Sequence, residues 1–288
     1  MSRMTKQEAW RLGTELLQQS GVDDSRWQAE LLLRSALRED RARFFASLAE
    51  EVCEQAEQIY LLWLADRQRG MPLQYLTGRQ EFMGLEVTVT PDVLIPRPDT
   101  EILVEETVQV LGGLPAVRVA ELATGSGAIA LALAAQLPEA MVVATDISPG
   151  ALQVASANAV SLGLAERIDW RLGSWAEPLA NQGTWHAIVS NPPYIPSGKI
   201  QGLSREVQHE PRLALDGGPD GLDCYRQLIP QAAPLLRPGG HLLLEVGAGQ
   251  DAAVAELMRA AGLGDVYTVP DLAGIQRVVV GSRGDVPR

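Results

Sequence analysis

From residue 116 the chain repeats strand, loop and helix, and this alternation constrains its fold more than any other feature. Segments at 117–122, 141–145, 168–172, 187–190 and 241–246 read as strands in this repeat. Helical stretches at 128–136, 149–161, 224–236 and 250–261 fall between or after them, and two closing strands are expected near 266–269 and 277–281. Repeated βα units join parallel strands by right-handed crossovers, which puts helices on both faces of one sheet. The expected architecture is α/β: a doubly wound, mostly parallel, seven-stranded sheet preceded by a small helical domain. Ligands of such sheets bind beyond the carboxyl ends of the strands.

Three of those ends carry polar residues. The first strand runs into Ala123-Thr124-Gly125-Ser126-Gly127, and Gly125 to Ala130 matches G-x-G-x-x-A. Asp146 ends the next strand, 21 residues after Gly125. This pairing is the dinucleotide fingerprint, with the acid on ribose hydroxyls. A nicotinamide dehydrogenase is therefore one reading. An S-adenosylmethionine site is the other, because that cofactor also carries an adenosine ribose. Glu121, at the entrance to the loop, leans towards the second, since a carboxylate suits an ammonium group better than a pyrophosphate.

The fourth strand ends in Ser190-Asn191-Pro192-Pro193-Tyr194. Consecutive prolines fix φ near −65° and remove two backbone donors, and each restricts the residue before it to extended geometry. Asn191 thus stands on a stiff backbone with carbonyl acceptors beside it. Two acceptors suit an incoming NH₂ group, and Tyr194 adds a flat face for stacking on an amide or a base. Asn-Pro and Pro-Pro also occur in ordinary turns, so these residues alone leave both readings open. A dehydrogenase, however, has no evident use for an acceptor loop of this kind.

Before residue 80 the pattern is helical. Thr5 and Glu8 read as a capping box for a helix whose face is Ala9, Leu12, Leu16 and Leu17, ended by Gly21. Asp23, Asp24 or Ser25 caps a second, with Ala29, Leu32, Leu33 and Ala36 inward. A third spans 50–68 with Val52, Ala56, Ile59, Leu62 and Trp63 inward. Arg34, Arg38, Arg41 and Arg43 lie between the second and third, as a solvated face or a partner surface. A hairpin is expected at 82–90. Asp99 or Thr100 then caps a helix over 102–111. That role leaves Arg97, a cation between two prolines, unexplained.

Composition removes several classes. With 46% apolar and 21% charged residues, the chain can build a full core, and no apolar run has the length of a membrane span. The polar first ten residues show no secretory pattern. Cys53 and Cys224, far apart, read as buried thiols of a reducing cytoplasm, and His186, His209 and His241 form no ligand set. Residues 1–80 hold 11 Lys/Arg against 12 Asp/Glu, whereas residues 81–288 hold 13 against 24. So acidic a domain disfavours general nucleic-acid binding.

Taken together these segments resemble the peptide-chain release factor glutamine methyltransferases (the PrmC/HemK family). The resemblance runs through Met71-Pro72-Leu73-Gln74-Tyr75-Leu76-Thr77-Gly78, Leu94-Ile95-Pro96-Arg97-Pro98-Asp99-Thr100-Glu101, the glycine loop and Val189 to Ile195. It continues in Glu206 to Gly221 and Gly239 to Glu245. Asn-Pro-Pro-Tyr is shared with enzymes that methylate amino groups of DNA adenine and ribosomal RNA; the Pro-Arg-Pro-Asp-Thr-Glu segment is the specific part. Glu121, Ala123 and Val246 depart from the family's usual aspartate, glycine and histidine.

The resemblance implies an S-adenosylmethionine-dependent methyltransferase sheet, with S-adenosylhomocysteine as product. Its substrate would be the side-chain amide nitrogen of the glutamine in the Gly-Gly-Gln tip of class-I release factors, which are acidic proteins. It assigns the cofactor to Glu121, Ala123, Thr124, Gly125, Ser126, Gly127, Asp146, Trp175 (beside the adenine) and Asn191. It assigns catalysis and the substrate to Asn191, Pro192, Pro193 and Tyr194, with Arg97 as a further substrate contact. It implies three parts: residues 1–75, a helical substrate-recognition domain; 76–98, a hairpin linker; and 99–288, a Rossmann-like catalytic domain. A cytoplasmic monomer is expected, with no direct contact to nucleic acid or membrane. Two other classes stay in view. The acidic large domain disfavours a nucleic-acid amino-methyltransferase, and the intact Asn-Pro-Pro-Tyr disfavours an inactive binding protein.

Overall fold

The structure is a computed structural model that describes residues 3–284; residues 1–2 and 285–288, at the ends of the expected first and last domains, lie outside the described residues. The chain forms two compact units, one of residues 1–79 with 204–209, the other of 80–203 with 210–288.

In the first unit, α1 (Lys6–Gln19) begins at the expected capping box, with Thr5 and Glu8 bonding reciprocally. Helix α2 (Ser25–Leu37) buries Ala29, Leu32 and Leu33. Within the arginine cluster lies a short helix α3 (Arg41–Ala46), capped by the Asp40 side chain, which accepts from the Arg43 N–H. Helix α4 (Glu54–Gln68) is shorter than expected and buries Ala56, Tyr60 and Leu64, whereas Leu62 is 59% exposed. The inward face had been set one register off, because Leu61, Leu62 and Trp63 form a continuous apolar run with no period of its own. Tyr60 decides the register by filling the core beside Ala9, whose carbonyl its hydroxyl meets at 3.3 Å. Cys53, expected buried, is exposed at the start of α4, while Cys224 is buried. Arg34 and Arg41 both reach Glu30, at 3.3 and 3.0 Å, and Arg43 reaches Glu39 at 3.2 Å. Helix α5 (Leu73–Thr77) and the later helix α9 (Arg205–Gln208) complete the unit, and Arg67 of α4 pairs with Glu206 of α9.

The second unit opens with the hairpin β1 (Arg79–Phe82) and β2 (Leu85–Thr88). After α6 (Glu101–Leu111) come β3 (Arg118–Leu122), α7 (Ala128–Gln136), β4 (Met141–Asp146), α8 (Pro149–Ser161), β5 (Ile168–Leu172) and β6 (Trp185–Ser190). Then follow α10 (Asp223–Ala232), β7 (Leu236–Glu245), α11 (Asp251–Ala260), β8 (Leu263–Pro270) and β9 (Gln276–Arg283). The sheet order is β5-β4-β3-β6-β7-β9-β8, with β3 to β7 parallel to one another and β9 antiparallel to β7 and β8. This is the expected seven-stranded, mostly parallel sheet. Helix α10 stops short of the expected 236, since Pro234 can neither donate a hydrogen bond nor tolerate the carbonyl four residues before it.

Strand order reverses between β3 and β6, which pair with Leu122 opposite Ser190. Both crossovers leave from this point, and the gap above it is where a ligand fits. The Ser190 hydroxyl ties the two ends together, donating to the Leu122 carbonyl at 2.7 Å. The hairpin is joined to the same region by Asn158 of α8. Its side chain accepts from the Thr88 N–H at 2.8 Å and donates to the carbonyls of Thr88 and Ser126, each at 3.0 Å.

Candidate active site

A cavity of ≈ 470 Å³ opens above the switch point. It is lined by the ends of β3, β4 and β6, by residues 91–94 and Pro96 after the hairpin, by Thr100, and by Pro211, Leu213, Ala214, Cys224 and Gln227.

The glycine loop needs left-handed backbone at three places: Ala123 (φ 57°), Gly125 (φ 56°) and Gly127 (φ 82°). At Gly127 a Cβ would also stand 3.0 Å from both the Ala155 Cβ and the Trp170 ring, so only glycine lets α7 start this close to its neighbours. Ala123 takes the same region with a Cβ, at a cost of about 1–2 kcal/mol. Asp146 holds the loop in place. Its Oδ2 accepts from the Gly125 N–H at 2.9 Å and its Oδ1 from the Ser148 N–H at 2.8 Å. Ser148, not Asp146, caps α8 by accepting from Ala151. Burial raises the Asp146 pKa, against the lowering effect of those backbone bonds.

Glu121 is 1% exposed and carries the strongest electrostatic signal of the loop. Its Oε2 accepts from the Thr124 hydroxyl at 2.6 Å and the Ala130 N–H at 3.0 Å, while Oε1 has no partner. Burial pushes its pKa up to about 8, against those two hydrogen bonds, and the Asp146 charge adds to the rise. An unpartnered buried carboxylate oxygen on a cavity wall calls for a cation. An ammonium group satisfies it, whereas a pyrophosphate, made only of acceptors, offers it no donor. The residues present therefore fit S-adenosylmethionine and not a dinucleotide.

Trp175 lines the cavity from the loop after β5 and takes a left-handed φ of 46°. Its carbonyl accepts from the Thr145 hydroxyl at 2.8 Å, and its indole N–H donates to Gln227 at 3.3 Å. The ring also packs against the core of the sheet, so the residue is held both by packing and by these two hydrogen bonds.

The end of β6 divides its four residues. Asn191 and Pro193 line the cavity. Pro192 is buried, and Tyr194 is half-buried, packed on the core with its hydroxyl donating to Glu245 Oε1 at 3.4 Å. Tyr194 is thus placed away from the cavity wall, and burial raises its pKa. Asn191 donates through Nδ2 to the Thr100 Oγ1 at 3.1 Å. Neither Asp99 nor Thr100 caps α6 as expected. Asp99 pairs with Arg277 at 2.8 Å, and Thr100 serves Asn191.

Arg97 is also outside the lining residues, and it pairs with Glu210. Glu210 is 5% exposed and accepts from the Ile95 N–H at 3.0 Å. That carboxylate joins two cavity walls, the 91–96 stretch and the segment from Pro211. The sequence reading missed Thr100, Glu245 and Gln227 as parts of the site. Glu245 had a signal: it is an acid that closes its strand directly after the apolar run Leu242 to Leu244.

Comparisons with known proteins bear on this geometry. The family described as the PrmC N-terminal domain matches residues 8–78, and that described as a methyltransferase domain matches residues 119–209. The release factor glutamine methyltransferase of Moorella thermoacetica is 48% identical over 281 residues, covering 97% of this chain and 99% of that protein. That of Geobacter sulfurreducens is 42% identical over 286 residues, again covering 97% and 99%. Among solved structures, the hMettl16 catalytic domain in complex with MAT2A 3′UTR hairpin 6 superposes with a TM-score of 0.60. It covers 77% of this chain and 82% of that one at 18% identity, a likeness of fold alone. The identities extend over both the helical unit and the sheet, and the chain belongs to the release factor glutamine methyltransferase family.

Proposed function

We propose that the protein methylates the side-chain amide nitrogen of the glutamine in the Gly-Gly-Gln motif of class-I release factors, using S-adenosylmethionine. The observation that carries this reading is the state of Asn191. One N–H of its side-chain amide donates to Thr100, the residue lines the cavity, and its amide oxygen is available there as an acceptor.

The cofactor supplies an electrophilic methyl group on a sulfonium sulfur. Glu121 Oε1 is the acceptor for its ammonium group, Asp146 for its ribose hydroxyls, and Trp175 a wall for its adenine. An amide nitrogen is a poor nucleophile, and positioning does most of the work. The Asn191 oxygen and the Pro192 carbonyl hold the two substrate N–H groups; the Pro192 ring stiffens the backbone between them, and Pro193 restricts the torsion that aims the Pro192 carbonyl. As the new C–N bond forms and the C–S bond breaks to leave S-adenosylhomocysteine, the nitrogen becomes positive until one of its N–H protons passes to solvent, so both acceptors bind the transition state more tightly than the ground state. The α1–α5 helices hold the body of the release factor, since one glutamine offers too little surface for selectivity. The enzyme works as a cytoplasmic monomer.

Mass spectrometry of class-I release factors incubated with the protein and S-adenosylmethionine tests the reading. One added methyl group on the glutamine of Gly-Gly-Gln is expected. Transfer to RNA or DNA but not to the factors would overturn it.

A further inference from the structure

Gln250 takes the N-cap position of α11, where Ser, Thr, Asp or Asn is favoured, and its side chain caps nothing. The side chain instead bridges three backbone segments beside the substrate acceptors. Its Oε1 accepts from the Gly247 N–H at 3.0 Å, while Nε2 donates to the Tyr194 carbonyl at 2.9 Å and to the Gly221 carbonyl at 3.2 Å. All three partners are backbone groups, each able to play one part only, so the amide has a single way round. Gly221 keeps the room for it: a Cβ there would stand 2.6 Å from Nε2 and overlap the Tyr194 carbonyl. Gln250 does not line the cavity, and it has no part in the chemistry described so far.

What Gln250 holds is the end of the acceptor loop. Pro192 and Pro193 carry no N–H, so the dipeptide after Asn191 cannot be tied down through donors of its own. Its tethers lie on either side. Before it, the Ser190 hydroxyl donates to the Leu122 carbonyl. After it, the Ile195 N–H donates to the Leu215 carbonyl at 3.0 Å and the Ile195 carbonyl accepts from the Gly217 N–H at 2.9 Å. The bond from Gln250 to the Tyr194 carbonyl lies closer to the Pro192 carbonyl than either of these. Both proline φ angles are fixed, so a shift at Tyr194 is passed back along the loop rather than absorbed in it. We propose that Gln250 is a positioning residue, whose amide fixes the exit of the loop and thereby the aim of the Asn191 oxygen and the Pro192 carbonyl at the substrate nitrogen.

The inference rests on the function proposed above, and two variants separate it from that reading. Gln250→Ser removes the clamp but gives α11 a favoured N-cap, so it tests aim apart from helix stability. Gln250→Glu keeps the size and the bond from Gly247 but turns a carboxylate oxygen on two carbonyls. Steady-state methylation of a release factor is measured for the unaltered enzyme, for both variants, for Asn191→Ala and for Gln250→Ser combined with Asn191→Ala. A misaimed loop predicts a fall in kcat of roughly 10-fold for each Gln250 variant. S-adenosylhomocysteine affinity should hardly change, and Gln250→Ser should melt close to the unaltered enzyme. In the double variant the loss should be smaller than the product of the two single losses, because Gln250 acts in part through the Asn191 oxygen. Gln250→Glu takes the place of Gln250→Ser throughout if the latter does not fold. Full kcat in either variant, a fall in melting temperature in place of one in kcat, parallel losses of kcat and S-adenosylhomocysteine affinity, or losses that multiply fully would each overturn the positioning role. If the unaltered enzyme transfers no methyl group to a release factor, the function proposed above fails, and the role of Gln250 fails with it.

Discussion

Asp146 and Gly125 are joined across two strand ends: the Asp146 Oδ2 accepts the Gly125 N–H at 2.9 Å. The acid that closes β4 thereby shapes the loop that follows β3. Each carboxylate oxygen already accepts one backbone N–H and retains a lone pair for a ribose hydroxyl.

Asp146→Ala should therefore weaken S-adenosylhomocysteine binding by about 1–3 kcal/mol, the value of hydrogen bonds to a charged acceptor. Titration calorimetry measures it. Tight NADH binding by the unaltered protein, with none for S-adenosylhomocysteine, would revive the dehydrogenase reading.

Asn191→Ala removes an acceptor that matters most when the substrate nitrogen is positive. We expect kcat to fall by ~10²-fold or more with cofactor affinity almost unchanged. Parallel losses of turnover and S-adenosylhomocysteine affinity would place Asn191 in the cofactor site instead.

Glu121 gives a pH signature. Its pKa of about 8 in the free protein leaves it mostly protonated at neutral pH. A bound ammonium group favours the carboxylate and lowers that pKa. Binding of S-adenosylhomocysteine should thus release close to one proton at pH 7, and affinity should rise with pH up to about 8. Calorimetry in buffers of different ionisation enthalpy reads the proton directly, and Glu121→Gln should abolish its release. Stability has the opposite slope. A carboxyl whose folded pKa is raised above its unfolded value stabilises fully below the unfolded pKa, and that stability is lost as pH rises through the folded one. The free protein should melt lower at pH 8 than at pH 6, and Glu121→Gln should lessen the difference.

Arg41 and Arg43 are largely exposed, with side chains 67% and 65% accessible, although each has a glutamate partner. Such pairs contribute ~0–1 kcal/mol, so Arg41→Ala with Arg43→Ala should leave the fold intact. If the helical unit holds an acidic release factor, the double variant should raise KM for the whole factor several-fold, most at low salt. Methylation of a short Gly-Gly-Gln peptide should not change. An unaltered KM for the factor would remove this face from recognition.

The sequence by itself determined the features that depend on near neighbours. The βα alternation, the Thr5–Glu8 capping box, the glycine loop and the placing of Glu121, Asp146 and Asn191 at strand ends all follow from patterns a few residues long. They persist because strand and helix periodicity, φ restrictions and caps act within about one turn of chain. The tertiary structure decided which groups meet. Thr100 read as a cap and became the partner of Asn191, 91 residues later. Arg97 read as a free cation and found Glu210, 113 residues away. Tyr194 read as a stacking face and turned to Glu245, while the apolar run at 61–63 left the register of α4 to Tyr60. Buried polar groups must find partners wherever strand order and register put them. The order that sets β3 beside β6, and β6 beside β7, arises only when the sheet assembles.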